Sequence, residues 1–215
     1  MTEQLGGRPP RCYAWSADRG SQQAALVDAV AALRRGDLVV LPTDTVYGLA
    51  AHPRLPNAVA LVYAVKERPA EKQLPLLVSG ADQAAALAET SPLGERLMAR
   101  FWPGGLTLVL RAREDGSTVA VRMPDHAVAL ALIGALGGPL ATTSANRSGQ
   151  PSCTTATAVR AQLPTGYAVV IDAGASPGGR DSTVLDLTAP VPRILRRGAV
   201  DVEDLAAVVG KLLTE

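Results

Sequence analysis

Lysine is scarce in this chain: of 21 cationic residues only Lys66, Lys72 and Lys211 are lysines. Arginine is the default cation, and two of the three lysines fall in one short segment, where a compact, strongly hydrated ammonium is not replaced by a guanidinium. Cysteine is nearly absent. Cys12 and Cys153 are too few and too far apart for a disulfide framework or a multi-cysteine zinc site, and Cys153, without a paired histidine, reads as a small loop residue. The two histidines, His52 and His126, have no metal-ligand neighbours in sequence, which favours structural roles. Aromatics make up 3% of the chain, too few for a base-stacking surface. The longest apolar run, residues 127–136, falls far short of the roughly 20 residues of a membrane span and reads as a core helix. Residues 1–20 lack the apolar core of a secretory signal, so a cytoplasmic protein with no membrane partner is expected. The signatures of the P-loop, the dinucleotide fold and the hydrolase elbow are all missing.

What is present is apolar and regularly punctuated. With 215 residues and 47% hydrophobic content the chain can bury a substantial core, and no linker divides it. The expectation is one domain over residues 20–215, preceded by a loose arm over 1–19 that contains Gly6-Gly7-Arg8-Pro9-Pro10. Ser21 is placed to cap a first helix that Gly36 ends. A buried strand follows over 37–41, then a helix from Asn57 to Lys66 that Pro69 prevents from continuing. A strand over 74–78 leads to helices at 81–89 and from Ser91-Pro92. Residues 106–110 and 118–123 read as an antiparallel hairpin around a polar turn. A helix to Leu136, a short strand at 140–143, a helix over 155–163, three more strands and a terminal helix over 202–213 complete the pattern. The fold class is therefore α/β, with a twisted sheet of mixed parallel and antiparallel strands and packed helices.

Polar groups gather where strands end. The segment Thr142-Thr143-Ser144-Ala145-Asn146 follows a short apolar strand, and Pro42-Thr43-Asp44-Thr45 follows another, which is how open α/β sheets present ligand sites. In Lys66-Glu67-Arg68-Pro69 the proline favours extended backbone, so Lys66 and Arg68 are expected to face one way, towards solvent. Such a pair suits an anion with several oxygens; a helix end with cations favoured by the macrodipole is the other reading. Ser144 and Asn146 share the same spacing and serve either a ligand or their own turn. Arg122, at the end of an apolar strand beside a proline, calls for a carboxylate or phosphate, either a ligand's or the protein's own. Asp181-Ser182-Thr183 and Arg196-Arg197-Gly198 offer second walls of a cleft. Asp44, Asp172 and Asp181 are candidates for magnesium, although each sits where turns and caps commonly place aspartate.

In order and combination, Pro42 to Leu49, Lys66-x-Arg68-Pro69, Val121-Arg122-Met123-Pro124, Thr143-Ser144-Ala145-Asn146 with Ser148-Gly149, Asp181-Ser182-Thr183-Val184 and Ile194-Leu195-Arg196 resemble the threonylcarbamoyl-AMP synthase family, over about residues 20–200. The resemblance implies the YrdC-like fold with an open concave cleft. It implies an enzyme, a nucleotidyltransferase that converts L-threonine, bicarbonate and ATP to threonylcarbamoyl-AMP and pyrophosphate. The product serves the threonylcarbamoyladenosine modification of tRNA beside the anticodon, through a downstream tRNA threonylcarbamoyl-transferase. The resemblance places Thr45, Arg122, Thr142 and Ser182 around threonine. It places Arg68, Lys72, Thr118, Ser144, Ser152 and Arg196 on ATP. Lys66, Arg68, Ser144 and Asn146 form the catalytic group, and Mg2+ accompanies the nucleotide with no protein metal site assigned. Val78-Ser79-Gly80 departs from the pattern, because many members carry a histidine there that reaches threonine's side chain. The chain resembles the short, single-domain members.

Two other readings remain at this level. A non-catalytic module that binds tRNA or double-stranded RNA would use the same cationic cleft, although a net charge of +1 excludes a globally basic coat. A carbamoyl-transfer domain detached from a hydrogenase-maturation enzyme would normally stand beside acylphosphatase and zinc-finger segments, and neither is visible.

Overall fold

The computed structural model describes residues 9–69 and 71–214. It begins with β1 (Arg11–Ala14), α1 (Arg19–Arg35), β2 (Val39–Leu41), β3 (Gly48–Ala51), α2 (Pro56–Lys66) and β4 (Leu76–Leu77). There follow α3 (Ala81–Leu87), α4 (Pro92–Phe101), β5 (Leu106–Arg111), β6 (Thr118–Arg122), α5 (Ala127–Leu136) and β7 (Leu140–Ser144). The last third holds α6 (Ala156–Gln162), β8 (Val169–Asp172), β9 (Thr183–Asp186), β10 (Arg193–Arg196), α7 (Val202–Val209) and β11 (Leu213–Thr214). All strands join one sheet in the order β1-β8-β2-β3-β7-β4-β6-β5-β9-β10-β11. Parallel pairs such as β1 with β8 and β5 with β9 stand beside antiparallel ones such as β3 with β7 and β5 with β6, giving the mixed sheet expected from the sequence.

Local chemistry sets the helix limits. Asp18, rather than Ser21, caps α1: its carboxylate accepts the Ser21 amide at 2.7 Å, so Ser21 belongs to the first turn. Gly36 ends the helix in the left-handed region (φ 91°), as its placement predicted. Ser91 caps α4 and Pro92 opens it. His126 caps α5 by accepting the Val128 amide at Nδ1 (3.2 Å), and His52 accepts the Arg54 amide in the same manner.

The loose arm expected over residues 1–19 is corrected in its second half. Residues 11–14 pair with 169–172, and the Tyr13 hydroxyl donates to Asp28 on α1 at 2.9 Å, so the segment is held by an otherwise open sheet edge. The rest of that expectation, over residues 1–8, lies outside the described residues. Gly48–Ala51, which the sequence pattern did not mark as a strand, is a buried strand between β2 and β7.

Alternation along the strands decides where the site forms. Val39, Leu41, Val169 and Ile171 face α1 and α5, whereas Leu38, Val40 and Val170 face α2 and α6. That half of the sheet is covered on both sides. In the other half Leu106, Leu108, Leu110, Val121 and Leu185 pack against α3, α4 and α7. The positions between them, Thr107, Val109, Thr118, Ala120 and Val184, line an open cleft. Each fully buried leucine on the hidden side, Leu106 and Leu108 among them, contributes about 1.5–3 kcal/mol, so the cleft floor rests on a close-packed layer. Among the described residues no helix is long and apolar enough to cross a membrane.

Candidate functional site

The cleft has a volume of about 700 Å³ and is walled by the 43–48 loop, the ends of β6 and β7, the 68–75 segment and the β9 and β10 strands. Arg122, the last residue of β6, is its most constrained cation. Its Nε donates to the Gly104 carbonyl (2.9 Å), Nη1 to Thr45 Oγ1 (2.9 Å) and Nη2 to Asp44 Oδ1 (2.5 Å). The internal carboxylate anticipated as one partner is thus Asp44, which also accepts the Asp125 amide at 3.1 Å. Burial lowers the pKa of Arg122 and the Asp44 charge opposes the shift; an arginine remains protonated all the same. Three of its five N–H groups are engaged, which leaves one on each terminal nitrogen. Those two N–H groups remain for another acceptor.

Hydroxyls extend this wall. Thr43 Oγ1 accepts the Thr45 and Val46 amides and donates to the Val46 carbonyl at 2.6 Å, fixing the loop that presents Thr45. Thr142 pairs with Ala50 across β7 and β3, and its methyl group would stand 2.7 Å from a Cβ on Gly48, so the bare backbone at Gly48 leaves Thr142 its room. Ser182 pairs with Thr107 across β9 and β5 at 2.8 Å.

Further cations line the cleft beyond Ser182. Arg196 donates from Nε to the Ser182 carbonyl and from Nη2 to Ser182 Oγ, both at 3.0 Å. A register shift between Ile194 and Arg196 lets consecutive residues Leu195 and Arg196 both line the cleft. Asp181 accepts from Ser152 Oγ (2.9 Å) and lies 3.5 Å from Arg196 Nη1. Arg68 donates from Nε and Nη2 to the carbonyls of Lys72 and Gln73, bracing the segment that carries Lys72, and Gln73 Oε1 accepts from Thr118 at 3.5 Å.

Lys66 departs from the sequence expectation. It was expected to alternate with Glu67 and to share a solvent-facing side with Arg68, but only 1% of its surface is exposed. Proline restricts the residue directly before it, Arg68, and leaves Lys66 free to finish α2. Glu67 then turns the chain in the left-handed region (φ 53°), with the Arg68 amide bonded back to the Tyr63 carbonyl. Lys66 Nζ consequently lies beneath the loop after β7, donating to the carbonyls of Ser144 and Asn146 and, at 3.4 Å, to Asn146 Oδ1. The Asn146 amide in turn donates to the Arg147 and Gln150 carbonyls. Burial, reinforced by the Arg68 charge, pulls the Lys66 pKa down to about 8 against the opposing pull of Asp181 and Cys153. Of the two readings of Ser144 and Asn146, Ser144 lines the cleft and Asn146 builds the turn.

One cleft brings together Thr45, Arg68, Lys72, Thr118, Arg122, Thr142, Ser144, Ser182 and Arg196. Lys66, Asn146 and Ser152 stand behind it, each bonded to a cleft residue or its loop. Ser79 is exposed outside the cleft, its amide donating to Gln83. Sequence reasoning missed Thr107 and Gln73, and it did not pair Asp44 with Arg122. Thr107 was within reach, because a threonine alternating with buried leucines on β5 must face the other way.

Fold and site define a class: an α/β protein whose half-uncovered mixed sheet forms a concave binding cleft lined by guanidinium and hydroxyl groups. The chain belongs to the Sua5/YciO/YrdC family, whose model, described as "Telomere recombination", matches residues 31–198. It is 41% identical to the threonylcarbamoyl-AMP synthase of Bacillus subtilis over 87% of this chain and 57% of that protein. It is 36% identical to the threonylcarbamoyl-AMP synthase of Vibrio cholerae over 80% of this chain and 97% of that protein. The Pyrococcus abyssi Sua5 structure complexed with L-threonine matches with a TM-score of 0.88 at 36% identity, over 97% of this chain and 63% of that one. The chain therefore spans little more than half the length of the Bacillus relative, and nearly all of the Vibrio one.

Proposed function

We propose that this chain is an L-threonylcarbamoyl-AMP synthase that joins L-threonine, bicarbonate and ATP, releases pyrophosphate, and supplies the adenylate to a tRNA threonylcarbamoyl-transferase. The observation that carries this reading is one cleft lined by two sets of cations, Arg122 on one side of Ser182 and Arg196 with Arg68 and Lys72 beyond it. Arg122, with its two remaining N–H groups beside the hydroxyls of Thr45, Thr142 and Ser182, suits the carboxylate of a small hydroxy amino acid. Arg68, Lys72, Thr118, Ser144 and Arg196 line the cleft and suit a triphosphate, with Ser152 next to them on Asp181. Threonine's amine adds to carbon dioxide derived from bicarbonate and loses a proton, giving a carbamate. A carbamate oxygen then attacks the α-phosphorus, and the bond to the bridging oxygen breaks as pyrophosphate leaves. Both reactants are anionic, so catalysis rests on positive charge and on positioning.

Lys66 takes a positioning role in this scheme, since its donors are engaged by the Ser144 and Asn146 loop rather than turned into the cleft. Magnesium fits the cleft only as a companion of the nucleotide: Glu71 and Asp181 are the carboxylates that line it, and such an ion is held by one or two carboxylates plus substrate phosphates. It would offset phosphate charge there.

The test is a pyrophosphate-release assay with threonine, with serine, without amino acid and without bicarbonate. Release that requires both threonine and bicarbonate supports the reading, and release independent of either removes it. A strongly salt-dependent affinity for tRNA without turnover would favour the RNA-binding module instead.

The lowered pKa of Lys66 gives a pH signature. Deprotonation above about 8 removes one of three donors from the loop, so kcat/KM for ATP, which reports the free enzyme, is expected to fall through pH 8. Stability moves oppositely. Between about 8 and 10.5 the unfolded chain retains a proton that folded Lys66 has lost, so the Lys66 contribution to stability rises with pH across that window. A kcat/KM profile flat through pH 8 would contradict the loop role.

A further inference from the structure

We propose that Asp181 is a built-in anion in the phosphate half of the cleft, holding Ser152 and Arg196 in the free protein and yielding them to the triphosphate, so that it sets nucleotide affinity. The inference rests on the reading of this cleft as a nucleotide site. The Asp181 carboxylate accepts from Ser152 Oγ at 2.9 Å through one oxygen and meets Arg196 Nη1 at 3.5 Å through the other. These are two of the groups assigned above to phosphate.

The geometry is that of an exchangeable contact. Ser182 holds Arg196 through Nε and Nη2, so the guanidinium stays in place whatever occupies Nη1. The Asp181 backbone is pinned separately: its carbonyl accepts the Ala199 amide at 2.8 Å, and Gly198 packs against it with no room for a side chain. The carboxylate is thus the part of Asp181 free to leave. It is also partly solvated, with 31% of the side chain exposed, whereas the Asp44 carboxylate on Arg122 is 14% exposed at 2.5 Å. Phosphate oxygens would replace the carboxylate oxygens acceptor for acceptor, so no donor is left unpaired in either state. A negative charge retained at the site weakens nucleotide binding and favours departure of pyrophosphate.

The experiment is calorimetry of inorganic tripolyphosphate, with and without magnesium, on the full chain and three variants. Asp181→Asn keeps an acceptor for Ser152 and removes the charge; it is expected to bind tripolyphosphate about tenfold more tightly, the effect of one unit charge a few ångström away in a solvent-open cleft. Asp181→Ala, which also frees Ser152, is expected to tighten binding comparably. Glu71→Gln removes a charge from the exposed edge of the same cleft and is expected to change affinity by less than about threefold, because solvent and salt screen it. Unchanged or weaker binding by both Asp181 variants would overturn the proposal, as would equal tightening by Glu71→Gln, which would reduce the effect to net charge. Weakening seen only with magnesium would make Asp181 a metal ligand instead. Wild-type protein that binds no tripolyphosphate would remove the nucleotide-site reading itself, a result distinguishable from failure of the Asp181 variants alone.

Discussion

Replacing Lys66 by methionine is expected to lower pyrophosphate release about a hundredfold while the protein still folds. The aliphatic stem keeps its packing, but the Ser144 and Asn146 carbonyls and Asn146 Oδ1 lose their shared donor. Leaving buried acceptors without a donor costs about 1–3 kcal/mol, and removing an ammonium that burial disfavours offsets part of that loss. Stability therefore drops modestly, whereas the reactive geometry drops steeply, because a displacement of roughly 1 Å at Ser144 costs on the order of a hundredfold in rate. Denaturant unfolding alongside single-turnover pyrophosphate release checks both halves. Full activity in a folded Lys66→Met protein would end the positioning role.

Arg122→Ala is expected to destabilise the protein by about 3 kcal/mol and to remove measurable threonine binding. The ion pair is largely buried, at 7% and 14% side-chain exposure, so truncating one partner strands the Asp44 carboxylate with the Asp125 amide as its remaining donor among the described residues. Thr45 loses its guanidinium contact at the same time. Removing the stranded charge should restore part of the loss, so Arg122→Ala with Asp44→Ala is expected to be about 1–2 kcal/mol more stable than the single variant. Arg122→Lys should retain charge and fold but bind threonine weakly, for an ammonium has no fork. Calorimetry with threonine and denaturant melts on these variants read the two effects separately. Unchanged threonine affinity in folded Arg122→Ala would withdraw the residue from the amino-acid site.

Much of this arrangement could be read from the chain alone, because the signals were periodic. The β5 and β6 hairpin, the helices ended by Gly36 and opened by Ser91-Pro92, and the mixed sheet all followed from alternation and capping chemistry. The elements missed, β1, β3 and β11, lack the run of β-branched residues that marks the equally short β2 and β8, for their sequences are Arg11-Cys12-Tyr13-Ala14, Gly48-Leu49-Ala50-Ala51 and Leu213-Thr214. The site was legible as a set of residues and less so as a geometry. Lys66 was placed on the wrong side because a left-handed turn at Glu67, stabilised by backbone bonds to the end of α2, leaves no mark in residue identity. The pairing of Arg122 with Asp44 joins positions 78 residues apart, and nothing local to either announces the other.

Along β5, β6 and β9 the leucines and valines that maintain the interior are interleaved with residues whose side chains line the cleft. Such interleaving separates two kinds of selection. Val109, Ala120 or Val184 can drift to suit a differently shaped guest while their immediate neighbours go on specifying the same architecture, so this scaffold is able to change its clientele one position at a time without being refolded.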